Sequence, residues 1–357
     1  MKRRNFIKTT AAFSASIAMT SRAGSGRSNL NAPGMPTPKF VYSNGIDLAV
    51  YQSGKGLPVI FCHGFPELAF TWRKQLSAIE QAGYQAIAPD LRGYGLSSAP
   101  KSIKDYTVAT ICDDLVGMMD ALNIEKAIFC GHDWGGFIAD TMPLLYPERC
   151  LGIIGIGAHN NQRPPNLEWP KLAANDLLDK EAFNQHIQKA STEAFLDLNS
   201  KALFQRIFQK GYLSASNLAK LNKDAPERSF NLVEMIKNEP IAPSYFAPQA
   251  AIDYYAKVFS KTGFAGAINW YRAIPASVAE FAERKLHWGV QVPYLYIWPN
   301  QDPINQDGLE VGMEDYIADL EKVELKGCGH FVPEEQPEAL NKLIISWLQR
   351  KFPVANS

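Results

Sequence analysis

Seven consecutive residues, Cys130-Gly131-His132-Asp133-Trp134-Gly135-Gly136, hold the side chain best placed for chemistry. An apolar run, Lys126-Ala127-Ile128-Phe129-Cys130, leads in, and a helix-compatible run, Phe137-Ile138-Ala139-Asp140-Thr141-Met142, leads out. Strand, tight turn and helix with small flanking residues is the pattern of a nucleophile elbow. A reactive group on such a turn stands clear of the backbone, and only glycine-sized neighbours let the turn close. The central position usually carries Ser, and here it is Asp133. Serine suits acyl transfer, whereas a carboxylate is a poor acyl acceptor. A carboxylate can instead displace at a saturated carbon and leave an alkyl ester on the protein. The helix dipole favours an anion at this point, so Asp133 is expected to be ionised.

Two further groups follow strand-like runs in the order nucleophile, acid, histidine. Asp302 lies in Asn300-Gln301-Asp302-Pro303, after the run Pro293–Trp298, and His330 lies in Gly329-His330-Phe331, after the run Lys322–Leu325. His330 would be the base, with Asp302 fixing its tautomer. Asp307 and Asp315 are nearby alternatives for the acid. A fourth stretch, His63-Gly64-Phe65-Pro66-Glu67, closes the apolar run Pro58–Cys62.

The elements that must carry these groups alternate. A hairpin is expected over Phe40–Tyr51, turning at Asn44-Gly45. Buried strands are expected at Pro58–Cys62, Gln85–Pro89, Lys126–Cys130 and Leu151–Ile156. Between them lie helical stretches at Trp72–Gln81 and Thr107–Leu122 and a helix from the elbow to about Tyr146. This is an α/β pattern, a mostly parallel doubly wound sheet, with ligand sites at the carboxyl ends of its strands. From about His159 buried strand runs cease until Pro293. Helix formers, aromatics and prolines take over, including Glu181–Leu198, Phe204–Leu221 and Ala250–Phe259. A helical insertion after the sixth strand is therefore expected. The sheet resumes at Pro293–Trp298 and Lys322–Leu325, and Pro337–Phe352 is a closing amphipathic helix. The expected division is 1–23 leader, 24–38 linker, 39–158 and 289–353 core, and 159–288 cap.

Composition narrows the class further. The 357 residues carry 36 basic and 36 acidic side chains, a balance unlike that of a protein built to bind nucleic acid. No apolar run is long enough to span a bilayer. The odd cysteine count, Cys62, Cys112, Cys130, Cys150 and Cys328, argues against a disulfide framework and for buried free thiols. At the N-terminus, Lys2-Arg3-Arg4-Asn5-Phe6-Ile7-Lys8, a mildly apolar run to Met19 and small residues around Arg22 resemble a twin-arginine export signal. The expectation is an exported, periplasmic protein.

From about Phe40 to Phe352 the chain resembles the epoxide hydrolases of the α/β-hydrolase superfamily. Three motifs carry the likeness: His63-Gly64-Phe65-Pro66, Gly131-His132-Asp133-Trp134-Gly135-Gly136, and Gly263-Phe264-Ala265-Gly266-Ala267-Ile268-Asn269-Trp270-Tyr271-Arg272. Asp90-Leu91-Arg92-Gly93-Tyr94-Gly95 supports them. The resemblance implies an α/β-hydrolase fold with a helical cap, Asp133 as nucleophile, and His330 activating water with Asp302 behind it. It implies an oxyanion hole from the Phe65 and Trp134 N–H groups, braced by His63, Gly64 and Pro66. Tyr271 stands where a ring-polarising tyrosine is expected. A second such tyrosine directly precedes a Phe-Gln pair in familiar members; here Ile207 precedes Phe208-Gln209, and Tyr212 is the nearest substitute, ahead of Tyr245 and Tyr255. No cofactor or metal is implied. The expected partners are a small apolar epoxide and water, with no nucleic acid, no membrane and the oligomeric state open.

Two rivals share these residues. A haloalkane dehalogenase would use the same Asp133 on an alkyl halide, with the Trp134 indole on the halide. However, Phe65 stands where many dehalogenases carry a halide-binding Asn, and haloacetate dehalogenases carry Arg where Trp134 stands. A non-catalytic binding protein on the same fold would have no need of the intact triad.

Overall fold

A computed structural model describes residues 30, 32–157, 180–211, 213, 231–237, 244–284, 286–303 and 312–354. The hairpin forms from β1 (Lys39–Ser43) and β2 (Ile46–Ser53), with Asn44 and Gly45 both at positive φ, 45° and 82°. The remaining strands are β3 (Pro58–Cys62), β4 (Gln85–Pro89), β5 (Ala127–His132), β6 (Cys150–Ile156), β7 (Tyr294–Pro299) and β8 (Leu320–Leu325). They make one eight-stranded sheet in the order β1-β2-β4-β3-β5-β6-β7-β8. The β1–β2 and β2–β4 pairings are antiparallel, and all others are parallel. The chain passes from β3 to β4 on one side and then returns to lay β5 on the other. Loops after β3 and β5 therefore diverge at a topological switch point, where a crevice opens at the carboxyl ends.

Continuous apolar strands follow from covering both faces. Side chains alternate along a strand. Val59, Phe61, Ile128 and Cys130 meet Leu76 of α1 (Arg73–Gln81) and Leu340, Ile344 and Trp347 of the closing helix. Ile60, Cys62 and Phe129 face the opposite way, toward Ile111, Leu115 and Met118 of α2 (Val108–Ala121) and Ile138 of α3 (Trp134–Leu145). Thr107 caps α2, its hydroxyl accepting from the Thr110 N–H. All five cysteines are buried and unpaired. Among the described residues no helix is long and apolar enough to cross a membrane.

Between β6 and β7 come α4 (Lys180–Ile187), α5 (Ala190–Leu198), α6 (Ser200–Ile207), α7 (Leu232–Lys237), α8 (Gln249–Thr262), α9 (Ala265–Arg272) and α10 (Ile274–Glu283). After β8, α11 (Val332–Glu335) and α12 (Pro337–Lys351) close the chain. In the helix-rich run expected over Phe204–Leu221, α6 ends at Ile207 and Gln209 pairs across an isolated bridge with Tyr245; residues 212 and 214–221 lie outside the described set. The stretch read as linker also contributes to packing. Leu30 is buried, and Ala32 and Met35 lie against the core. Residues 1–29, which hold the whole expected leader (1–23) and the start of the expected linker, lie outside the described set.

The helical layer is seated on the core through α9. A Cβ on Gly93 (φ +86°) would come within 2.7 Å of Tyr106 Cε1 and 2.9 Å of the Gly266 carbonyl carbon. The two backbones touch with no side chain between them. Beside this contact the Trp270 indole N–H donates to the Arg92 carbonyl, 2.9 Å. Arg92 itself is held by a buried pair with Asp114, Nε to Oδ2 2.7 Å. Gly266→Ala is therefore expected to push α9 off this loop. The overpacking should cost about 1–3 kcal/mol of stability. It should also displace Tyr271, which a melting curve and an activity assay on one preparation would detect together.

Candidate active site

The elbow forms as the glycines demand. Asp133 ends β5 and starts α3 at φ 51°, ψ −123°, a left-handed backbone rare for a residue with a Cβ. Strain of this kind persists only where the surroundings over-determine it. A Cβ on Gly131 would overlap the Gly135 carbonyl, and one on Gly135 would overlap the Cys62 carbonyl at the end of β3.

The Asp133 carboxyl is met from two directions. The Phe65 N–H donates to its Oδ1 at 2.7 Å, and the Trp134 N–H also bonds it. Burial pushes the carboxyl above the ordinary aspartate range; the His330 and His132 charges and the two N–H bonds pull against that. The helix-dipole expectation thus captures only part of the balance. On the other side His330 Nε2 stands 3.8 Å from Asp133 Oδ2, longer than a hydrogen bond. His330 Nδ1 lies 3.0 Å from Asp302 Oδ2. Burial would lower the His330 value, but the Asp302 charge, its hydrogen bond and the Asp133 charge raise it to about 9. Asp315, one of the rival acids, is exposed on a turn, and Asp307 lies outside the described residues.

His63 is a brace. Its Nε2 accepts from the Leu91 N–H, 3.0 Å, so its Nδ1 must donate to the Gly64 carbonyl, 3.0 Å. Burial lowers its value to about 4, consistent with a neutral ring. Gly64 leaves room for Asp133, since a Cβ there would overlap the carboxyl-bearing side chain. Pro66, joined to Phe65 by a cis peptide, is buried in the same loop.

Three residues beyond the motif reading complete the scaffold. Glu67 Oε2 accepts from the Gly64 N–H at 2.9 Å and faces His132 Nδ1 at 2.7 Å; its Oε1 accepts from the Thr71 hydroxyl at 2.8 Å. The other ring nitrogen of His132, Nε2, faces the His330 carbonyl at 2.7 Å. With a carboxylate on one nitrogen and a carbonyl on the other, both must donate, so His132 is an imidazolium. Burial alone would raise Glu67, yet the His132 charge and the hydrogen bonds hold it at about 2. The same pairing overcomes burial to raise His132. One buried ion pair thus ties the Gly64-Phe65 loop, the elbow and the His330 loop together. Glu335 fixes the last of these again, accepting from the Gly329 and Phe331 N–H groups at 2.9 and 3.0 Å. His132 directly follows Gly131, and Glu67 closes the loop that leaves Cys62; Gly131 and Cys62 are paired across β5 and β3. The pairing of those two strands is the signal that could have found them.

Tyr271 is 6% exposed and lies edge-on to Phe65 and Trp134; burial first, and the Asp133 charge second, raise its phenol. Of the other tyrosines, Tyr212 lies outside the described residues. The backbone beside it comes close to the histidine loop, since a Cβ on Gly329 would stand 3.0 Å from the Leu213 carbonyl oxygen. Tyr255 turns away and donates to Glu334 at 3.4 Å, and Tyr245 sits in the bridge to Gln209. Ile207 is buried. Phe208 and Phe246 pack on Phe331, which abuts His330, so an apolar wall borders the triad. Among the described residues no cluster of three or more His, Cys, Asp or Glu could hold a metal ion.

A buried carboxylate on a strand-to-helix elbow, a His–Asp pair beside it, two N–H donors and a phenol nearby are what an α/β hydrolase would place at its strand ends, and the family profile for the α/β hydrolase fold matches residues 58–337. The chain belongs to that family. Among curated proteins it is similar to epoxide hydrolase 2 of Siraitia grosvenorii, 31% identical across 87% of this chain and 97% of that one. It is also similar to the bifunctional epoxide hydrolase 2 of Sus scrofa, 31% identical across 85% of this chain. The chain spans about half the length, 54%, of that relative and of its rat and mouse counterparts. Among solved structures, epoxide hydrolase A from Mycobacterium thermoresistibile superposes with a TM-score of 0.74 at 30% identity, covering 88% of this chain and 98% of that one.

Proposed function

We propose that this protein is an epoxide hydrolase that opens a small apolar epoxide to a vicinal diol through a covalent ester on Asp133. The observation that carries the reading is the geometry around one carboxylate. Asp133 Oδ1 accepts from the Phe65 N–H, the Trp134 N–H bonds the same carboxyl, Oδ2 lies on the His330 side, and the Tyr271 phenol is near enough to feel the carboxylate charge. Attack by Oδ2 on a ring carbon would form the ester as the ring oxygen takes a proton from Tyr271. Water deprotonated by His330 would then add to the ester carbonyl, its oxyanion held by the Phe65 and Trp134 N–H groups. Asp302 stabilises the imidazolium that forms. The names of the relatives point the same way.

The test is direct. The purified protein is offered styrene oxide and, separately, a bromoalkane, and diol and bromide are measured. Diol without bromide is expected; bromide without diol would overturn the reading.

The reading also fixes a pH dependence. His330 is raised to about 9 partly by the Asp133 charge. A raised value means that the imidazolium persists below it and the base form appears only as pH climbs through it. Esterification removes the Asp133 charge, so the His330 value should fall in the alkyl-enzyme. Ester hydrolysis, followed after a single turnover, is therefore expected to rise with pH along a limb centred below the resting-state value. A limb at or above that value would contradict this.

Export to the periplasm belongs to the same proposal and rests on the sequence alone. Replacing Arg3 and Arg4 together by Lys is expected to leave the protein inside the cell on fractionation.

A further inference from the structure

The imidazole that must activate water is tied at one end. His330 Nδ1 lies 3.0 Å from Asp302 Oδ2, while Nε2 stands 3.8 Å from Asp133 Oδ2, beyond hydrogen-bond reach. One hydrogen bond on a rotatable stem leaves the ring able to tilt, so the tilt is set by the rings packed against it. Phe331, the next residue, lies edge-on to the imidazole with centroids 4.9 Å apart at 75°, and the His132 ring is 4.8 Å away. Phe331 is fixed in turn. Its N–H donates to Glu335 Oε1 at 3.0 Å, and its ring meets Phe208 edge-on at 5.2 Å and Phe246 at 6.4 Å.

Those two cap rings reach Phe331 because α6 stops at Ile207. The chain beyond it pairs with the stretch before α8 as a short antiparallel clip. Gln209 faces Tyr245, the Phe246 N–H donates to the Phe208 carbonyl at 3.1 Å, and the Lys210 N–H donates to the Ser244 carbonyl at 2.8 Å. In that register Phe208 stands directly opposite Phe246, and their rings meet at 5.5 Å. The interruption of α6 thus seats a pair of cap rings on the residue beside the base.

We propose that Phe331 is a positioning residue for ester hydrolysis: backed by Phe208 and Phe246 of the cap clip, it holds the His330 imidazole with Nε2 aimed at the water that attacks the Asp133 ester. The inference rests on the epoxide reading. In the step concerned, His330 Nε2 takes one proton from water, and the water oxygen bonds to the ester carbonyl carbon. The carbonyl electron pair moves onto its oxygen. When that pair returns, the bond to the alkyl oxygen breaks, and the leaving alkoxide takes the imidazolium proton to give the diol. Asp133 is left as the acid. Its proton matches the one that Tyr271 gave up in ring opening, and returning it restores both groups. Ring opening makes no demand on the imidazole, so only the second step depends on its tilt.

Styrene oxide is mixed with excess enzyme, and ester formation and ester decay are timed separately by quenching and intact mass across pH. Phe331→Leu keeps most of the bulk and loses the flat ring. It should slow ester decay about 10- to 100-fold, the scale expected when a catalytic group is misplaced by about 1 Å. Ester formation should stay within about threefold of native, because an interaction used in one step leaves the other barrier in place. The pH limb of decay should keep its position, since neither the Asp302 bond nor any charge is touched. Phe331→Tyr, which retains the ring, should recover most of the decay rate. Phe208→Leu, a volume-conserving change in the cap, tests the same contacts even if Phe331→Leu folds poorly. It should slow decay in the native background and add little to Phe331→Leu. Equal losses in the two steps, or a Phe208→Leu loss that adds in full to that of Phe331→Leu, would overturn the inference and leave the epoxide reading standing. A native chain that forms no ester would overturn both.

Discussion

A His330→Gln variant is expected to take up one equivalent of epoxide and stop. In the proposed mechanism ring opening uses Asp133 and a proton from Tyr271, and neither is removed. Hydrolysis needs a base beside the ester carbonyl, and His330 Nε2 is the group that stands there, 3.8 Å from Asp133 Oδ2. Its loss should slow the second half-reaction by about 10²–10⁴-fold, the usual worth of a positioned general base. The ester then accumulates, and an intact mass increased by the whole substrate reports it. The fold should tolerate the change. The loop is pinned at its backbone by Glu335 and by His132 on the His330 carbonyl, and neither contact needs the imidazole. A His330→Gln protein that gives no adduct, or that turns over at the native rate, would exclude this assignment.

Asp133→Ala should do the opposite on both counts. Without the carboxylate there is no covalent step. Turnover should fall by at least about four orders of magnitude, in line with losing the nucleophile of a covalent mechanism, and no adduct should form on any substrate. Stability, however, should be unchanged or higher. Burial works against the Asp133 charge, and alanine at the same positive φ carries no more backbone strain than aspartate does. A melting temperature at or above native with activity abolished is the expected pair of results. A variant that both unfolds and loses activity would mean that the carboxylate holds the elbow together rather than being tolerated by it.

Much of the frame behind these predictions was legible in the residues. Buried parallel strands must be apolar on both faces, so Pro58–Cys62, Gln85–Pro89 and Leu151–Ile156 announced themselves, and β3, β4 and β6 fall there within a residue. The elbow was legible because its backbone tolerates nothing but glycine at Gly131 and Gly135. The triad followed from strand ends lying on one edge of the sheet, and Asp133, Asp302 and His330 do come together there.

What was not legible depends on who meets whom. Glu67 and His132 were both inside quoted motifs, yet nothing local says that they form a buried ion pair. That contact exists because β3 lies against β5, a fact of sheet order rather than of either motif. Glu335 reads as one acid in an exposed-looking Glu-Glu pair, and it acts through backbone N–H groups that have no sequence signature. Leu30 and Met35 sat in a stretch rich in Gly, Ser, Asn and Pro, where two isolated apolar side chains gave no periodicity to weigh. The helix ending at Ile207 is followed by Phe208, Gln209 and Lys210, which could continue it, and by Gly211 at φ 71°, which could not. The pairing of Gln209 with Tyr245 is a tertiary contact that no local pattern announces.

The central claim is that Asp133, and not water, attacks the epoxide. One turnover of excess enzyme in water labelled with heavy oxygen separates the two. If Asp133 attacks, the ring supplies one diol oxygen and the Asp133 carboxyl the other. The first diol then carries no label, and the label appears in the peptide that contains Asp133. Label in the first diol, with an unlabelled Asp133 peptide, would mean that water opens the ring directly and would contradict the account.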